Sequence, residues 1–198
     1  FNTSKCQVMS ICSKSSHFYN INGHILKHIP QEKYLGVILS EDMKWSSHIN
    51  NTTKKANAVL GLLRRNLQFC PEQCKRTAYI ALTRLILEYG ACVWDPYLQK
   101  DIENLERVQR RALRFITGDY RSRDPGCITS MRQRLDLPTL ASRRKFLKLS
   151  SFFKVVEGLV PGLPIDNFLI KARPKRNITI KQYKDHQTQI SLRDKSLT

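Results

Sequence analysis

The sequence predicts an α+β protein, mostly α, in which short N-terminal antiparallel strands precede a helical bundle and a basic tail. Residues 1–44 contain short alternating runs separated by turn signals, whereas from Trp45 onward the apolar residues recur at helical spacing. Beyond residue 166 the chain is polar and basic, which is typical of a loosely ordered tail. The 198 residues are enough to bury a hydrophobic core.

Turn signals and apolar runs predict the N-terminal strands. Asn22-Gly23 tolerates the positive φ angles of a two-residue turn, and it predicts a hairpin between residues 17–21 and 24–29. Residues 34–39 read Tyr-Leu-Gly-Val-Ile-Leu, and this apolar run favours one continuous buried strand.

Helical periodicity predicts five helices. The first begins near residue 46, and the others are expected at about 72–93, 98–117, 128–135 and 140–157. Gly118 is expected to end the third helix in a left-handed conformation. The last helix should bury Phe146 and carry Arg143 and Arg144 on its opposite side. The second should bury an apolar stripe that includes Leu82, Leu85, Tyr89 and Val93.

The charge balance indicates a polyanionic partner. Lys and Arg total 34 against 16 Asp and Glu, so the formal net charge is +18. Residues 127–198 alone carry 15 basic and 5 acidic side chains. The net charge of +18 exceeds the value of about 2–8 that keeps a small domain soluble. Because cationic groups gain affinity by displacing counterions from phosphates, nucleic-acid contact is favoured over a merely solubilising surface.

Several function classes have no basis in the sequence. The longest apolar run, residues 78–93, contains Arg84 and Glu88, so no membrane span is predicted. We find no glycine-rich phosphate loop, no complete set of zinc ligands and no strand ending in an Asp-Asp pair that could hold Mg²⁺. We therefore expect no catalytic residue set, metal or cofactor in this chain. Six cysteines without a secretory segment favour an intracellular location, cytoplasmic or nuclear.

Basic side chains occupy the predicted helix faces that oppose the apolar stripes. On the third helix Arg107, Arg110, Arg111 and Arg114 share an arc of about 100°. The acidic residues of that helix lie in its first half, which also suits the helix dipole, so a solvated face and a phosphate-binding face are both open. The other helices contribute further candidate nucleic-acid contacts: Lys54, Arg65, Arg143, Arg144 and Lys148.

Several short motifs, in order over about 160 residues, resemble the downstream part of a non-LTR, LINE or jockey-like retrotransposon reverse transcriptase. They are FNTSKCQVM at 1–9, KYLGV at 33–37, KWSSHI at 44–49, LEYG with VWDP at 87–96, and LERVQRRA with RFI at 105–116. RR at 143–144 and KVVEG at 154–158 extend the resemblance.

The resemblance implies that the chain begins after the catalytic aspartates of the palm. Four parts are then expected. They are a palm-edge remnant at 1–44, a helical thumb-like bundle at 45–118, a post-thumb helical region at 127–165 and the tail at 166–198. Mg²⁺ is expected only in the full-length polymerase, and this chain alone is expected to be inactive.

The resemblance also suggests roles for three N-terminal residues. Lys5 would be the palm-motif lysine, a candidate general acid for the departing pyrophosphate, or else a surface lysine. Tyr34 and Gly36 would belong to a primer-grip hairpin in which Gly36 lets the backbone approach a strand end. In the alternative, Tyr34 fills core and Gly36 relieves a bulge.

We therefore expect a reverse transcriptase fragment that binds the RNA/DNA template–primer through its backbone, independently of sequence. Readout by shape is expected because no aromatic residue is interleaved with the basic groups. The upstream palm and fingers of the same polyprotein are a second expected partner. The alternatives are a helical protein-interaction module, marked by an exposed apolar patch, or a nonfunctional remnant that folds poorly.

Overall fold

The computed structural model is mostly helical with short strands, which confirms the predicted fold class. Two compact units are distinguished, Phe1–Leu147 and Lys148–Thr198. The four-part division expected from the resemblance stays a prediction. The structure describes residues 2–11, 17–163, 170–171, 182–184 and 189–191.

Six short strands form three separate pairs in the N-terminal segment. They are β1 (Gln7–Val8), β2 (Asn20–Ile21), β3 (His24–Ile25), β4 (Lys27–His28), β5 (Gln31–Tyr34) and β6 (Val37–Ser40). β2 pairs with β3 and β5 with β6 in antiparallel fashion, whereas β1 and β4 are parallel. Asn22 and Gly23 have φ angles of 51° and 83°, so the hairpin predicted at this turn is confirmed.

The prediction of one continuous buried strand over residues 34–39 is wrong. Leu35 and Gly36 have φ angles of 46° and 87°, and they form a two-residue turn in which Tyr34 pairs with Val37. Glycine accepts this φ readily, and two positive φ angles match the twist of a tight hairpin. Tyr34 and Leu35 are exposed rather than part of the core, and Gly36 makes a turn rather than a bulge.

The helices surround one core within the unit Phe1–Leu147. Their bounds are α1 (Ser46–Asn66), α2 (Glu72–Ala78), α3 (Leu85–Glu88), α4 (Gln99–Thr117), α5 (Cys127–Arg134) and α6 (Leu140–Val156). A π-helical segment, Tyr79–Arg84, joins α2 to α3. α1 packs against α4, the π segment and α3, while α4 also packs against α2 and α5. Gly118 caps α4 with a φ of 72°, as the sequence predicts.

The second predicted helix differs from the structure in both length and buried face. It ends at Glu88, because the chain turns at Gly90, where φ is 64°. Its π segment has wider turns than an α-helix, so a face assigned with a 3.6-residue period rotates away from the core. Tyr79 of the predicted stripe is fully buried, as are Thr83 and Leu87, which the prediction left out. Ile86 of the stripe is partly buried, but four of its members are exposed: Leu82, Leu85, Tyr89 and Val93.

The core continues without interruption from α4 into the following segment. Leu105 and Phe115 of α4 belong to the same cluster of buried residues as Met131 and Leu140. Gln109, also buried, donates from Nε2 to the Pro138 carbonyl at 2.8 Å and accepts from the Leu140 amide at 3.1 Å. These bonds attach the start of α6 to α4 and satisfy buried polar groups.

The buried face of α6 also differs from the prediction. Phe146 is exposed, and Arg144 is only 2% exposed. The reason is that Asp95 lies against this face and accepts a hydrogen bond from Arg144 Nε at 3.3 Å. Periodicity assigns polarity to a helix face, but it cannot reveal a distant carboxylate that compensates a buried guanidinium.

Three short strands are described near the C-terminus. β7 (Ile170–Lys171), β8 (Gln182–Lys184) and β9 (Gln189–Ser191) form an antiparallel sheet in that order. The rest of the predicted loosely ordered tail lies outside the described residues. In the part of the chain that the structure describes, none of the helices is both long and apolar enough to cross a membrane.

Candidate nucleic-acid interface

A basic groove of about 470 Å³ lies where the end of α1, the start of α2 and the end of α4 meet. We call this site the α1–α4 groove. Its cationic side chains are Arg64, Arg65 and Lys75. Within the described residues, the lining includes no carboxylate, and none of the three cations forms an ion pair. The groove is completed by Gly61, Gln68, Phe115, Gly118 and Tyr120.

Local sequence explains how α1 delivers two of the cations. Arg64 and Arg65 lie in its last turn, where the negative end of the helix dipole favours cationic side chains. Gly61 lies one turn earlier, and a Cβ placed there would lie 3.8 Å from Nη1 of Arg65. The guanidinium of Arg65 therefore extends back along α1 toward Gly61.

Two aromatic rings lie beside these cations. The Arg64 guanidinium carbon is 5.3 Å from the centroid of the Tyr120 ring, and Lys75 Nζ is 5.7 Å from the centroid of the Phe115 ring. Both distances are typical of cation–π contacts. The expectation that no aromatic residue is interleaved with basic groups is therefore wrong in space, although it describes the linear sequence.

Arg114 fixes the loop that carries Tyr120. Its Nη1 donates to the Asp119 carbonyl at 3.1 Å, and its Nη2 donates to the Ser122 carbonyl at 3.0 Å. The Asp119 carboxylate accepts from the amides of Arg121 and Ser122, both at 3.0 Å. The hydrogen bonds from Ser122 hold the pKa of Asp119 below its ordinary range. The predicted contact residue Arg114 thus positions the loop.

The other predicted arginines of α4 have different surroundings. Arg110 forms an ion pair with Glu103 on the same helix. Arg111 donates from Nη1 to Asn57 Oδ1 of α1 at 3.0 Å, which ties the two helices together. Arg107 is exposed. In the shared arc predicted from the sequence, Arg107 and Arg111 are therefore exposed, and Arg110, Arg111 and Arg114 bind other groups of the protein.

The predicted arginines of α6 take part in internal pairs. Arg143 donates to both carboxylate oxygens of Glu88, with its Nη2 at 2.8 Å from Oε2. Arg84 Nε lies 3.7 Å from the same carboxylate. Together with the buried Arg144–Asp95 pair, these contacts attach α6 to α3 and to the segment that follows it. Lys54 and Lys148, the remaining predicted lysines, are exposed.

The predicted primer-grip residues lie at a hairpin tip. Tyr34 is exposed, and a Cβ on Gly36 would lie 2.9 Å from Cε1 of Tyr89. Tyr89 also donates its hydroxyl to the Leu35 carbonyl at 3.0 Å, so the close approach made by Gly36 is to a side chain of the same protein. Lys5 is exposed at the end of a short 3₁₀ helix.

No geometry for metal binding is found within the described ranges. Those residues contain no group of three or more His, Cys, Asp or Glu side chains that could hold a metal ion. The role of the predicted contact residues in binding nucleic acid stays a prediction. Five of the predicted arginines bind other groups of the protein: Arg110, Arg111, Arg114, Arg143 and Arg144.

The chain is similar to a transposon-encoded polymerase. It is 26% identical, over 115 residues that cover 57% of the chain, to a protein described as a probable RNA-directed DNA polymerase from transposon BS of Drosophila melanogaster. The chain spans 13% of the length of that relative. No family model matches the sequence, and no solved structure matches it. The similarity supports a relationship to reverse transcriptases.

Sequence reasoning found Arg65 but missed the other groove residues. Arg64 was available from the Arg64-Arg65 pair at the end of a predicted helix. Lys75 and Tyr120 carry no such signal, because they lie on separate elements that only the packing of α2 and α4 brings to α1.

Proposed function

We propose that this chain is the end of the palm, the thumb and the post-thumb region of a non-LTR, LINE or jockey-like retrotransposon reverse transcriptase. Its function would be sequence-independent binding of the RNA/DNA template–primer through the phosphate backbone. The observation that carries the proposal is the α1–α4 groove, whose three cations have no carboxylate beside them within the described residues. The similarity to a transposon RNA-directed DNA polymerase supports the choice of nucleic acid as the polyanion.

Electrostatics distinguishes this groove from two other hollows on the same unit. A hollow of about 270 Å³ beside α4 includes Arg110 and Arg132, but also Glu103 and Glu106. A third hollow, of about 290 Å³, lies beside the β5–β6 hairpin and includes Glu41 and Asp42. A phosphate would meet like charges in both, whereas in the α1–α4 groove it would meet cations and aromatic rings.

The surroundings of the predicted contact residues suggest separate roles for them. Arg65 belongs to the groove, and Lys54 and Arg107 are exposed cations that would contact phosphates. Four other predicted arginines would act by holding the fold that forms the groove: Arg111, Arg114, Arg143 and Arg144. Arg110 forms an exposed pair with Glu103 on its own helix.

Salt dependence of binding tests the proposal. Fluorescence anisotropy would measure the affinity of the chain for RNA/DNA hybrids of about 20 base pairs. Two hybrids of unrelated sequence would each be titrated at several salt concentrations between about 50 and 200 mM. Three phosphate contacts contribute about −2.7 to the slope of log K against log salt. The combined Arg64→Ala, Arg65→Ala and Lys75→Ala variant should lose that much slope on both sequences. A slope near zero for the parent chain would overturn the proposal.

A matched control removes the same charge elsewhere. Lys27, Lys33 and Lys100 are exposed and lie outside the groove. Their combined change to alanine should leave most of the slope intact. Equal losses in the two triple variants would mean that net charge, and not the groove, determines binding.

Exposed apolar side chains support a second candidate, a protein-interaction surface. Leu82 and Leu85 project from the helical segment at residues 79–88, and Tyr89 and Val93 follow it. The proposed partner is the upstream palm and fingers of the same polyprotein. The chain should co-purify with that region, and Leu85→Asp should abolish the co-purification. Leu62→Asp, at another exposed leucine, should leave it unchanged. Equal retention by both variants would contradict this candidate.

A further inference from the structure

We propose that the α1–α4 groove binds one nucleotide of a single-stranded segment, with its phosphate on the cations and its base on the Tyr120 ring. This inference rests on the proposed function and specifies the ligand of the same site. The groove volume, about 470 Å³, lies within the range of about 300–1,000 Å³ found for small-ligand sites. The groove is therefore large enough for a single nucleotide unit.

Lys75 brings a third cation to the groove from a second helix. It lies in the last turn of α2, whereas Arg64 and Arg65 lie in the last turn of α1. Lys75 contacts the Phe115 ring, and this contact directs its ammonium group toward the groove.

Tyr120 supplies the surface for a base. Its side chain is 44% exposed, and the Arg64 guanidinium lies over its ring. Bases stack on aromatic rings and on guanidinium planes alike, so both members of this stacked pair are groups on which a base can lie. Arg114 holds both ends of the short stretch around Tyr120, which reduces the loop motion that ligand binding would have to restrict.

The stacking surface selects for unpaired nucleotides. In a duplex the faces of the bases are covered by their neighbours, so only a single-stranded base can lie on the Tyr120 ring. The phosphate contacts alone do not make this distinction. The groove should therefore bind a single strand more tightly than a backbone of equal charge without bases.

The test compares two single-stranded ligands of equal charge. One is a labelled oligothymidylate of about six nucleotides, and the other is an abasic oligonucleotide of the same length. The full chain should bind oligothymidylate at least about fivefold more tightly, which is the effect of one stacked base. Equal affinities for the two ligands would overturn the inference.

Variants at Tyr120 assign this preference to the groove. Tyr120→Leu should abolish it, whereas Tyr120→Phe, which keeps the ring, should preserve it. Tyr97→Leu is the matched control, because Tyr97 is also an exposed tyrosine but lies outside the groove. It precedes the start of α4, and the groove is at the other end of this helix, which is about 28 Å long. A preference that survives Tyr120→Leu in a chain with unchanged circular dichroism would contradict the inference.

Lys75→Gln separates the charge contribution from the stacking contribution. It should weaken both oligonucleotides equally and reduce the single-strand salt slope by about 0.7. A larger loss for oligothymidylate than for the abasic ligand would contradict a phosphate contact at Lys75. If hybrids bind with a steep salt slope but oligothymidylate shows no preference, the inference fails and the proposed function stands. If neither hybrids nor single strands bind, both fail.

Discussion

Replacing Glu88 by glutamine should destabilise the protein far more than its place at the end of a short helix suggests. The Glu88 side chain is 8% exposed, and it accepts hydrogen bonds from Nε and Nη2 of Arg143. Arg84 approaches the same carboxylate, and its own pKa is lowered by burial and by repulsion from Arg143. One carboxylate therefore compensates two largely buried cations.

The size of the effect follows from the charges left behind. Removing one partner of a buried ion pair costs about 3–5 kcal/mol, because the remaining charge stays desolvated. Arg143 retains 28% exposure, which allows water to compensate part of the loss, so we expect about 3 kcal/mol. For a unit of this size each kcal/mol lowers the melting temperature by about 2–4 °C, and the total shift is about 6–12 °C.

Urea unfolding followed by circular dichroism at neutral pH would measure this effect. Glu103→Gln is the matched control, because Glu103 also pairs with an arginine but its side chain is 45% exposed. Exposed pairs contribute about 0–1 kcal/mol, so this control should change the free energy of unfolding little. Equal effects of Glu88→Gln and Glu103→Gln would refute the assignment of Arg143 to an internal structural role.

Three further substitutions test other parts of the fold. Gly36→Ala should lower the free energy of unfolding in urea by about 2–3 kcal/mol, because it adds backbone strain and a clash with the Tyr89 ring. Gly23→Ala, at a similar φ but with open space around it, should cost about 1–2 kcal/mol. Equal costs would contradict the clash. Burial, with a smaller effect of a nearby lysine, lowers the pKa of His48, so the unfolded chain takes up the proton first. The free energy of unfolding should fall as pH drops below about 6.5, by at most about 1.4 kcal/mol per pH unit. The same fall in the His48→Gln variant would show that His48 is not its cause. Gln109→Leu should cost about 2–4 kcal/mol by leaving the Leu140 amide and a carbonyl unpaired, and a neutral result would show that water replaces these bonds.

The helices were predictable where one periodicity and one cap determine them. The apolar spacing and Gly118 gave α4 nearly to the residue, and Asn22-Gly23 gave the first hairpin. Tyr79 was predicted to be buried, but Thr83 and Leu87 were not, because the buried face depends on a π segment that changes the helical period. The Leu35–Gly36 turn was hidden within an apolar run, in which hydrophobicity suggested a strand interior.

The candidate site was only partly predictable, for a related reason. Composition indicated that cations would bind a polyanion, but it could not distinguish exposed cations from paired ones. Arg143 and Arg144 find carboxylates about 50 residues away in sequence, and such pairings arise only through packing. Tyr120 joins Arg64 for the same reason, so the aromatic part of the groove had no counterpart in the linear sequence.

The central claim is that nucleic acid occupies the α1–α4 groove. Lysine footprinting tests it most directly, by comparing the free chain with its complex with an RNA/DNA hybrid that carries a single-stranded overhang. Acetylation followed by mass spectrometry reports the accessibility of each lysine. Lys75 should be protected in the complex, while Lys33, on the β5–β6 hairpin, should remain reactive. Lys75 that stays fully reactive in a saturated complex would show that nucleic acid does not occupy the α1–α4 groove.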